Sequence, residues 1–266
     1  MKSNLTCSLV TPTYNWPEAL ELLLLSIKKQ SILPNEVIIA DDGSTKETKQ
    51  LIKSYSSKFK SGISHIWQKD DGFQKTIILN KSISKANGDY IIQIDGDIII
   101  HTHFIRDHIK MAKKGFFIHG SRTFLNKKTT KNAIKNSIIN FSIFSAGITN
   151  RFNSLHSLFL SKSLSNKNKN LKGTRGCNFS FWRQDFIKVN GYNEDMTGWG
   201  KEDTELSVRL MNSGLQKLKL KCLAVCYHLH HKISSKEGLN INNSILTLII
   251  NEKREICING INKYAN

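Results

Sequence analysis

Three short clusters in this sequence have residue types and spacings suited to chemistry. Asp95-Gly96-Asp97 puts two carboxylates on one side of an extended chain, and the glycine between them leaves room for close approach. Two hard oxygen ligands of this kind suit Mg²⁺ or Mn²⁺ bound to a diphosphate, whose charge the ion would neutralise on departure. Asp41-Asp42-Gly43-Ser44 is the second cluster. A carboxylate there can accept a hydrogen bond from the imide N–H of a uracil ring; a helix-capping turn is the plain structural alternative. In the third, Gly198-Trp199-Gly200-Lys201-Glu202-Asp203, the indole offers an aromatic face to the apolar side of a sugar ring. Glu202 and Asp203 then open a predicted helix, whose N-terminal dipole favours ionised carboxylates. A carboxylate held beside a hydroxyl can serve as a general base, whereas ordinary acidic first-turn residues would only cap the helix.

These clusters need elements to hold them. Leu5–Thr11, Glu36–Ala40, Ile63–Gln68 and Tyr90–Ile94 are short, apolar and β-branched, and predict strands. Between them Pro17–Gln30, Thr45–Phe59 and Gln74–Ala86 predict helices, the first with Asn15 as cap and Pro17 in its first turn. The alternation implies an α/β fold with a mostly parallel sheet and helices on both faces. Ligands then bind at the carboxyl ends of the strands, where the acidic clusters fall.

Beyond residue 125 the pattern changes. Residues 126–172 are rich in Lys, Asn and Ser, with apolar patches Ile138–Ile148 and Leu155–Leu160 expected as short helices. Order is expected to resume with a strand at Cys177–Trp182, a helix near Asp185–Val189 and a helix from Glu202 to about Met211. A strand Leu218–His228 and a terminal helix around Asn242–Cys257 follow. The expected organisation is one fold: a binding half at 1–125, a mobile basic insertion at 126–172, and a second half at 173–266.

Composition sets outer limits. The 266 residues can bury a real core. Five scattered cysteines argue for a reducing compartment and against a disulfide framework, and Cys222, Cys226 and the following histidines fit no common zinc module. No charged-then-apolar leader precedes the first strand and no apolar run can span a bilayer, so a cytoplasmic location is expected. The net charge of +18 is uneven: from His108 to Gln184 there is no Asp or Glu. Such a patch attracts anionic headgroups, nucleic acid or phosphorylated glycans, while compositional bias would leave only a solvated lysine surface.

Taken in order, Tyr14-Asn15, Asp41-Asp42-Gly43-Ser44, Asp70-Asp71-Gly72-Phe73-Gln74-Lys75 leading into Asn80, Asp95-Gly96-Asp97, Arg175-Gly176-Cys177-Asn178, Gly191-Tyr192-Asn193-Glu194 and Gly198–Leu206 resemble a known family. It is family 2 of the glycosyltransferases, with the GT-A (nucleotide-diphospho-sugar transferase) fold. The closer likeness is to bacterial members with a galactosyltransferase-like C-terminal half, associated with lipopolysaccharide or capsule synthesis. The resemblance implies an inverting hexosyltransferase that uses a nucleotide-diphosphate sugar, UDP-linked first of all, and a glycan or lipid-linked acceptor. Thr11, Thr13 and Asp42 would hold the nucleoside, with Tyr14 and Asn15 lining its pocket. Asp95 and Asp97 would hold ribose and metal-diphosphate, with Mn²⁺ or Mg²⁺ as cofactor. Asn178 belongs to the donor-binding set, Trp199 and Glu202 would face a sugar, and Asp203 would be the base. His228 takes the place of the family's metal-binding histidine; strand alternation makes His230 its rival and turns His231 away. Relatives often carry an arginine after Gly-Phe; here Gln74 stands there, and Lys75 is left to face the phosphates.

Two other classes are weaker fits. A nucleotidyltransferase making nucleotide sugars would need a glycine-rich phosphate loop after the first strand, where this chain has Thr11-Pro12-Thr13-Tyr14-Asn15. The pI near 9.7 raises nucleic-acid binding. The basic stretch, however, has few aromatics among its lysines, and the acidic exits would repel a phosphate backbone.

Overall fold

The structure is a computed structural model that describes residues 5–60, 62–167, 170–171, 173–232 and 238–264. Its first half runs β1 (Cys7–Thr13), α1 (Pro17–Lys28), β2 (Glu36–Asp41), α2 (Lys46–Ser56), β3 (Ile63–Trp67), α3 (Lys75–Ser84) and β4 (Tyr90–Gln93). Every strand and helix predicted here forms within a few residues of its expected ends. Next come β5 (Ile98–Ile100), α4 (Phe104–Met111), β6 (Phe116–His119), β7 (Thr123–Leu125), α5 (Lys127–Asn136), β8 (Ile148–Thr149), α6 (Leu158–Leu164) and β9 (Asn166–Lys167). The chain closes with β10 (Phe179–Trp182), α7 (Arg183–Lys188), α8 (Glu202–Asn212), β11 (Gln216–Lys219), β12 (Cys226–His228) and α9 (Leu239–Asn251).

Among the described residues the strands form an eight-stranded sheet, β3-β2-β1-β4-β10-β6-β11-β9, and a four-stranded one, β5-β12-β7-β8. β1 to β4 pair in parallel, and β10 enters antiparallel between β4 and β6. Strand alternation divides the large sheet's side chains between two cores. Leu9, Val37, Ile39 and Ile92 pack against Leu20, Leu23 and Leu24 of α1, Ile52 of α2 and Phe104 of α4. Val10, Ile38 and Ile91 face Ile78 and Leu79 of α3, Phe186 of α7 and Leu206 and Leu210 of α8. Helices therefore cover both faces, and the carboxyl ends of β1, β2 and β4 stay clear of them.

Four expectations change. Asn15 does not cap α1: its backbone is left-handed, with φ 45°, and its Oδ1 instead accepts from Thr45 N–H at 2.9 Å. The single strand Leu218–His228 is two strands in different sheets, because Cys222 and Ala224 adopt left-handed φ of 56° and 47° and turn the chain. Ile138–Ile148 forms no helix; its end joins β8, which pairs with β7. The patch Leu155–Leu160 becomes helical only from Leu158, where Ser157 caps α6 by accepting from Leu160 N–H. All five cysteines are free and buried. No helix among the described residues is long and apolar enough to cross a membrane.

Candidate active site

A cavity of about 860 Å³ opens where β1, β2 and β4 end and the small sheet begins. Thr13, Tyr14, Asp42, Lys75, Asp95 and Asp97 line it from the large sheet, and Arg122, Phe124, Thr149, His228 and His231 from the small one. Trp199 closes one side. Residues scattered over most of the chain thus share one space.

The acidic pair after β2 divides its work. Asp41 is fully buried; it accepts from Ser44 N–H at 2.8 Å and faces His65 Nε2 at 2.8 Å, which fixes the turn. Asp42 faces the cavity. Its Oδ1 accepts from Gln68 Nε2 at 2.6 Å and its Oδ2 from Gln74 N–H at 2.9 Å, leaving lone pairs free. Burial pushes its carboxyl up to about 6 despite those two donors. The role of Gln74 is thus to orient Asp42 through its backbone.

After β4, Asp95 pairs with Lys75 Nζ at 3.1 Å, and the same ammonium lies 3.5 Å from Glu202. Asp97 turns the other way and meets His231 Nε2 at 3.0 Å and His228 Nε2 at 3.5 Å. Both imidazoles point Nδ1 at a backbone carbonyl, His228 at Leu229 and His231 at Lys232. A carbonyl only accepts, so Nδ1 carries a proton; Nε2 donates to Asp97 when the ring is protonated, and with the ring neutral it would offer its lone pair to a cation. The Oδ1 of Asp97 is buried with no partner among the described residues. One carboxylate and two imidazoles with ligand atoms within 4.8 Å of one another form a donor set that fits a divalent cation. Burial works against ionisation of Asp97, yet the His231 contact and the nearby imidazole charges hold its carboxyl below the ordinary range.

This triad corrects the histidine reading. His228 is placed with Asp97, but its second partner is His231, while the backbone N–H of His230 bonds to Thr130 Oγ1 at 2.9 Å. Strand alternation fails because β12 ends at His228, so residues 229–231 follow no two-residue period.

The helix start at α8 is held from beneath. Asp203 accepts from Gly176 N–H at 2.6 Å and from Tyr192 OH at 2.9 Å. A Cβ at 176 would lie 2.4 Å from Asp203 Oδ1 and 2.6 Å from Gln93 Nε2, so a larger residue there would displace the carboxylate. Asn80 in turn fixes Tyr192, accepting from its N–H and donating to its carbonyl, both at 2.8 Å. Glu202 is 6% exposed and its carboxyl is pushed up to about 7, by burial first and by Asp203 second. Asp203 is only partly buried; neither of the two is among the cavity's lining residues. Glu205, one turn on, is structural: it grips fully buried Arg209 with both oxygens, at 2.8 and 2.7 Å.

Two further candidates are not brought to the cavity. Thr11 is fully buried below it, and its hydroxyl has no partner among the described residues. Asn178 is 1% exposed and spends its amide inside the core, donating to Ser121 and Ala224 carbonyls and facing His108 Nε2. Its side chain staples β10 to the loops after β6 and β11. Asn15 stays at the rim, tying the loop after β1 to that after β2. Conversely, Arg122 and Phe124 line the cavity without having been singled out, and His231, expected to turn away, lines it too. Arg122 stacks 4.6 Å over Phe124, and β7, the short strand that places the pair, carried no strong sequence signal.

Comparison with known proteins agrees with this geometry. The family described as N-terminal domain of galactosyltransferase matches residues 157–232. Chondroitin synthase of Escherichia coli is 26% identical over 225 residues, covering 78% of this chain and 32% of that protein. Validoxylamine A glucosyltransferase of Streptomyces hygroscopicus subsp. limoneus is 24% identical over 221 residues, covering 78% of this chain and 48% of that protein. The chain thus spans about a third to a half of the length of these relatives. Among solved structures, S. aureus TarS 1-349 superposes with a TM-score of 0.63 at 17% identity, covering 91% of this chain and 64% of that one. GalNAc-T7, solved with UDP, GalNAc and Mn²⁺, gives 0.64 at 16% identity, covering 90% and 45%. The fold is the GT-A fold of these enzymes. The description Glycosyl transferase family 2 matches residues 8–189, more than half of the chain, and with the strand-end clusters gathered in one cavity the protein belongs to that family.

Proposed function

We propose that the chain is an inverting glycosyltransferase moving a hexose or N-acetylhexosamine from a nucleotide-diphosphate sugar, UDP-linked, to a glycan or lipid-linked acceptor in cell-surface polysaccharide synthesis. One observation carries this reading. A single cavity combines a half-satisfied carboxylate at Asp42, a cation-type donor set at Asp97, and an aromatic face at Trp199. The family match favours this class over a nucleotidyltransferase or a nucleic-acid-binding protein. UDP in the structures of TarS and GalNAc-T7 supports the choice of carrier.

In this reading Asp42 accepts from the base and Lys75 faces the phosphates. Asp97, His228 and His231 would hold a divalent ion, and the two imidazoles favour Mn²⁺ over the oxygen-preferring Mg²⁺. When bound, the ion supplies positive charge to the departing diphosphate. Trp199 stacks on a sugar ring, and Asp203, the more exposed of the acidic pair, takes the proton from the attacking hydroxyl. Gly176 and Tyr192 orient its carboxylate through one donor each. We further propose residues 1–125 as the donor half, 126–172 as a basic insertion, and 173–266 as the acceptor and catalytic half. We place it in the cytoplasm, peripheral on the inner membrane face; the free cysteines fit a reducing compartment.

The test is transfer and hydrolysis across a panel of nucleotide sugars with Mn²⁺, repeated on two variants. Asp203→Asn should lower the single-turnover rate ~10²–10⁴-fold with nucleoside diphosphate affinity little changed. Glu202→Gln should raise KM more than it lowers kcat. A near-wild-type rate for Asp203→Asn removes it as the base.

A further inference from the structure

We propose that the basic segment carrying exposed Phe144, Phe152 and Phe159 docks the protein on an anionic lipid bilayer, its rings entering the headgroup layer. These rings are 90%, 82% and 80% exposed, although phenylalanine is among the residues most often buried. They sit on a built surface. Arg151 Nη1 donates to the carbonyls of Ile143 at 2.7 Å and Ser145 at 3.0 Å, clamping the turn that bears Phe144. Arg151 itself opens the 3₁₀ turn Arg151–Ser154 that bears Phe152. Phe159 stands in the first turn of α6 beside Leu158, which is also exposed.

The surrounding charge identifies the occupant. Asn126 N–H bonds to the Gly147 carbonyl at 2.8 Å and Thr129 Oγ1 to Ala146 at 3.3 Å, which ties the start of α5 to the Phe144 turn. α5 carries exposed Lys127, Lys128, Lys131 and Lys135, α6 carries exposed Lys162, and no acidic residue falls between 108 and 184. Apolar rings flanked by cations are the combination that interfacial binding requires: the rings leave water while the lysines meet anionic headgroups. A second copy placed face to face would set like charges against each other, so charge complementarity selects the lipid. Asn126 and Thr149, which line the cavity, adjoin the clamped turn. Docking therefore holds the cavity beside the bilayer. On the transferase reading, on which this clause rests, the acceptor is presented at the membrane surface.

Sedimentation of the whole chain with vesicles of phosphatidylcholine alone, or with phosphatidylglycerol added, tests the proposal at low and high salt. Wild type should partition to the anionic vesicles about tenfold or more above the neutral ones, and high salt should erase most of the difference. F144S/F152S/F159S should lose about tenfold or more of that partition, with each single substitution losing part of it. The UDP–Mn²⁺ thermal shift of these variants should equal that of wild type, since none of the three rings lines the cavity. Equal sedimentation of wild type with both vesicle types overturns the proposal, as does a triple variant that binds like wild type. A dimer that the triple substitution breaks, with vesicle binding unchanged, overturns it in favour of a second copy. Retention on an acidic polysaccharide that depends on the phenylalanines when vesicle binding does not overturns it in favour of a glycan. Failure of the transferase reading is separate: it appears as no UDP–Mn²⁺ response in wild type, whatever the vesicles show.

Discussion

Asp42 meets one N–H donor at each carboxylate oxygen, yet burial still raises its carboxyl to about 6. The sign of the consequence follows directly. Below that pH the group is protonated and presents an O–H where a base's imide N–H needs an acceptor, so nucleoside diphosphate binding should weaken as pH falls through about 6. Calorimetric titration between pH 5 and pH 8 should show affinity falling toward a tenfold loss per pH unit below the midpoint, as for one coupled proton. Asp42→Asn should bind more weakly and flatten that dependence; an unchanged pH profile in this variant would point to another group. The residue scale is also where the sequence misled most. Of the two aspartates after β2, the resemblance singled out Asp42, and Asp42 does line the cavity while Asp41 locks the turn; other residues departed from expectation. Asn178 stood in a motif and proved to be a core staple, because its amide was matched by carbonyls from loops far away in the chain.

Elements are positioned by buried polar side chains. His108 reaches Ser180 of β10 at 2.8 Å, and His119 on β6 reaches Ser207 of α8 at 2.9 Å while stacking on Phe179 at 4.2 Å. Burial lowers His108 to about 4 and His119 to about 3, from 6.5. Below 6.5 the unfolded chain takes up protons that the folded one refuses, so this stability is complete above 6.5 and lost as pH falls toward 4. Each histidine can remove up to about 1.4 kcal/mol per pH unit there. Chemical denaturation at pH 7, 6 and 5 should show that loss, and His119→Gln should reduce the slope by about one proton. The loop before α8 is equally constrained. Gly191 has φ 68°, and a Cβ would lie 2.5 Å from Asn80 Oδ1 and 2.8 Å from Ile261 Cβ. Gly191→Ala should cost ~1–3 kcal/mol. It should also lower turnover, since Tyr192 next to it holds Asp203; a stable, fully active variant would sever that link.

For the whole molecule, the decisive event is the meeting of two sheets. β4 runs out through Asp95-Gly96-Asp97 into β5, which pairs with β12, and so Asp97 arrives beside His228 and His231. If these three hold the ion, Mn²⁺ at about 100 times its Kd should add roughly 2.7 kcal/mol to apparent stability. His231→Ala and Asp97→Asn should each abolish most of that thermal shift, and His230→Ala should leave it in place. Loss of the shift in His230→Ala with none in His231→Ala would return the assignment to His230.

The β-α alternation through residue 94, the two-faced sheet and the strand-end positions of the acidic clusters were all legible in the amino-acid order. Those features rest on local periodicity and on the rule that loops at strand ends face ligand. Only the folded chain shows which histidine joins Asp97 and that Arg122 and Phe124 form the cavity's far wall. Each of these depends on short strands of three residues or on left-handed turns such as those at Cys222 and Ala224. Elements so short carry too few residues for a period to show, and their direction is set by pairing with strands more than a hundred positions away.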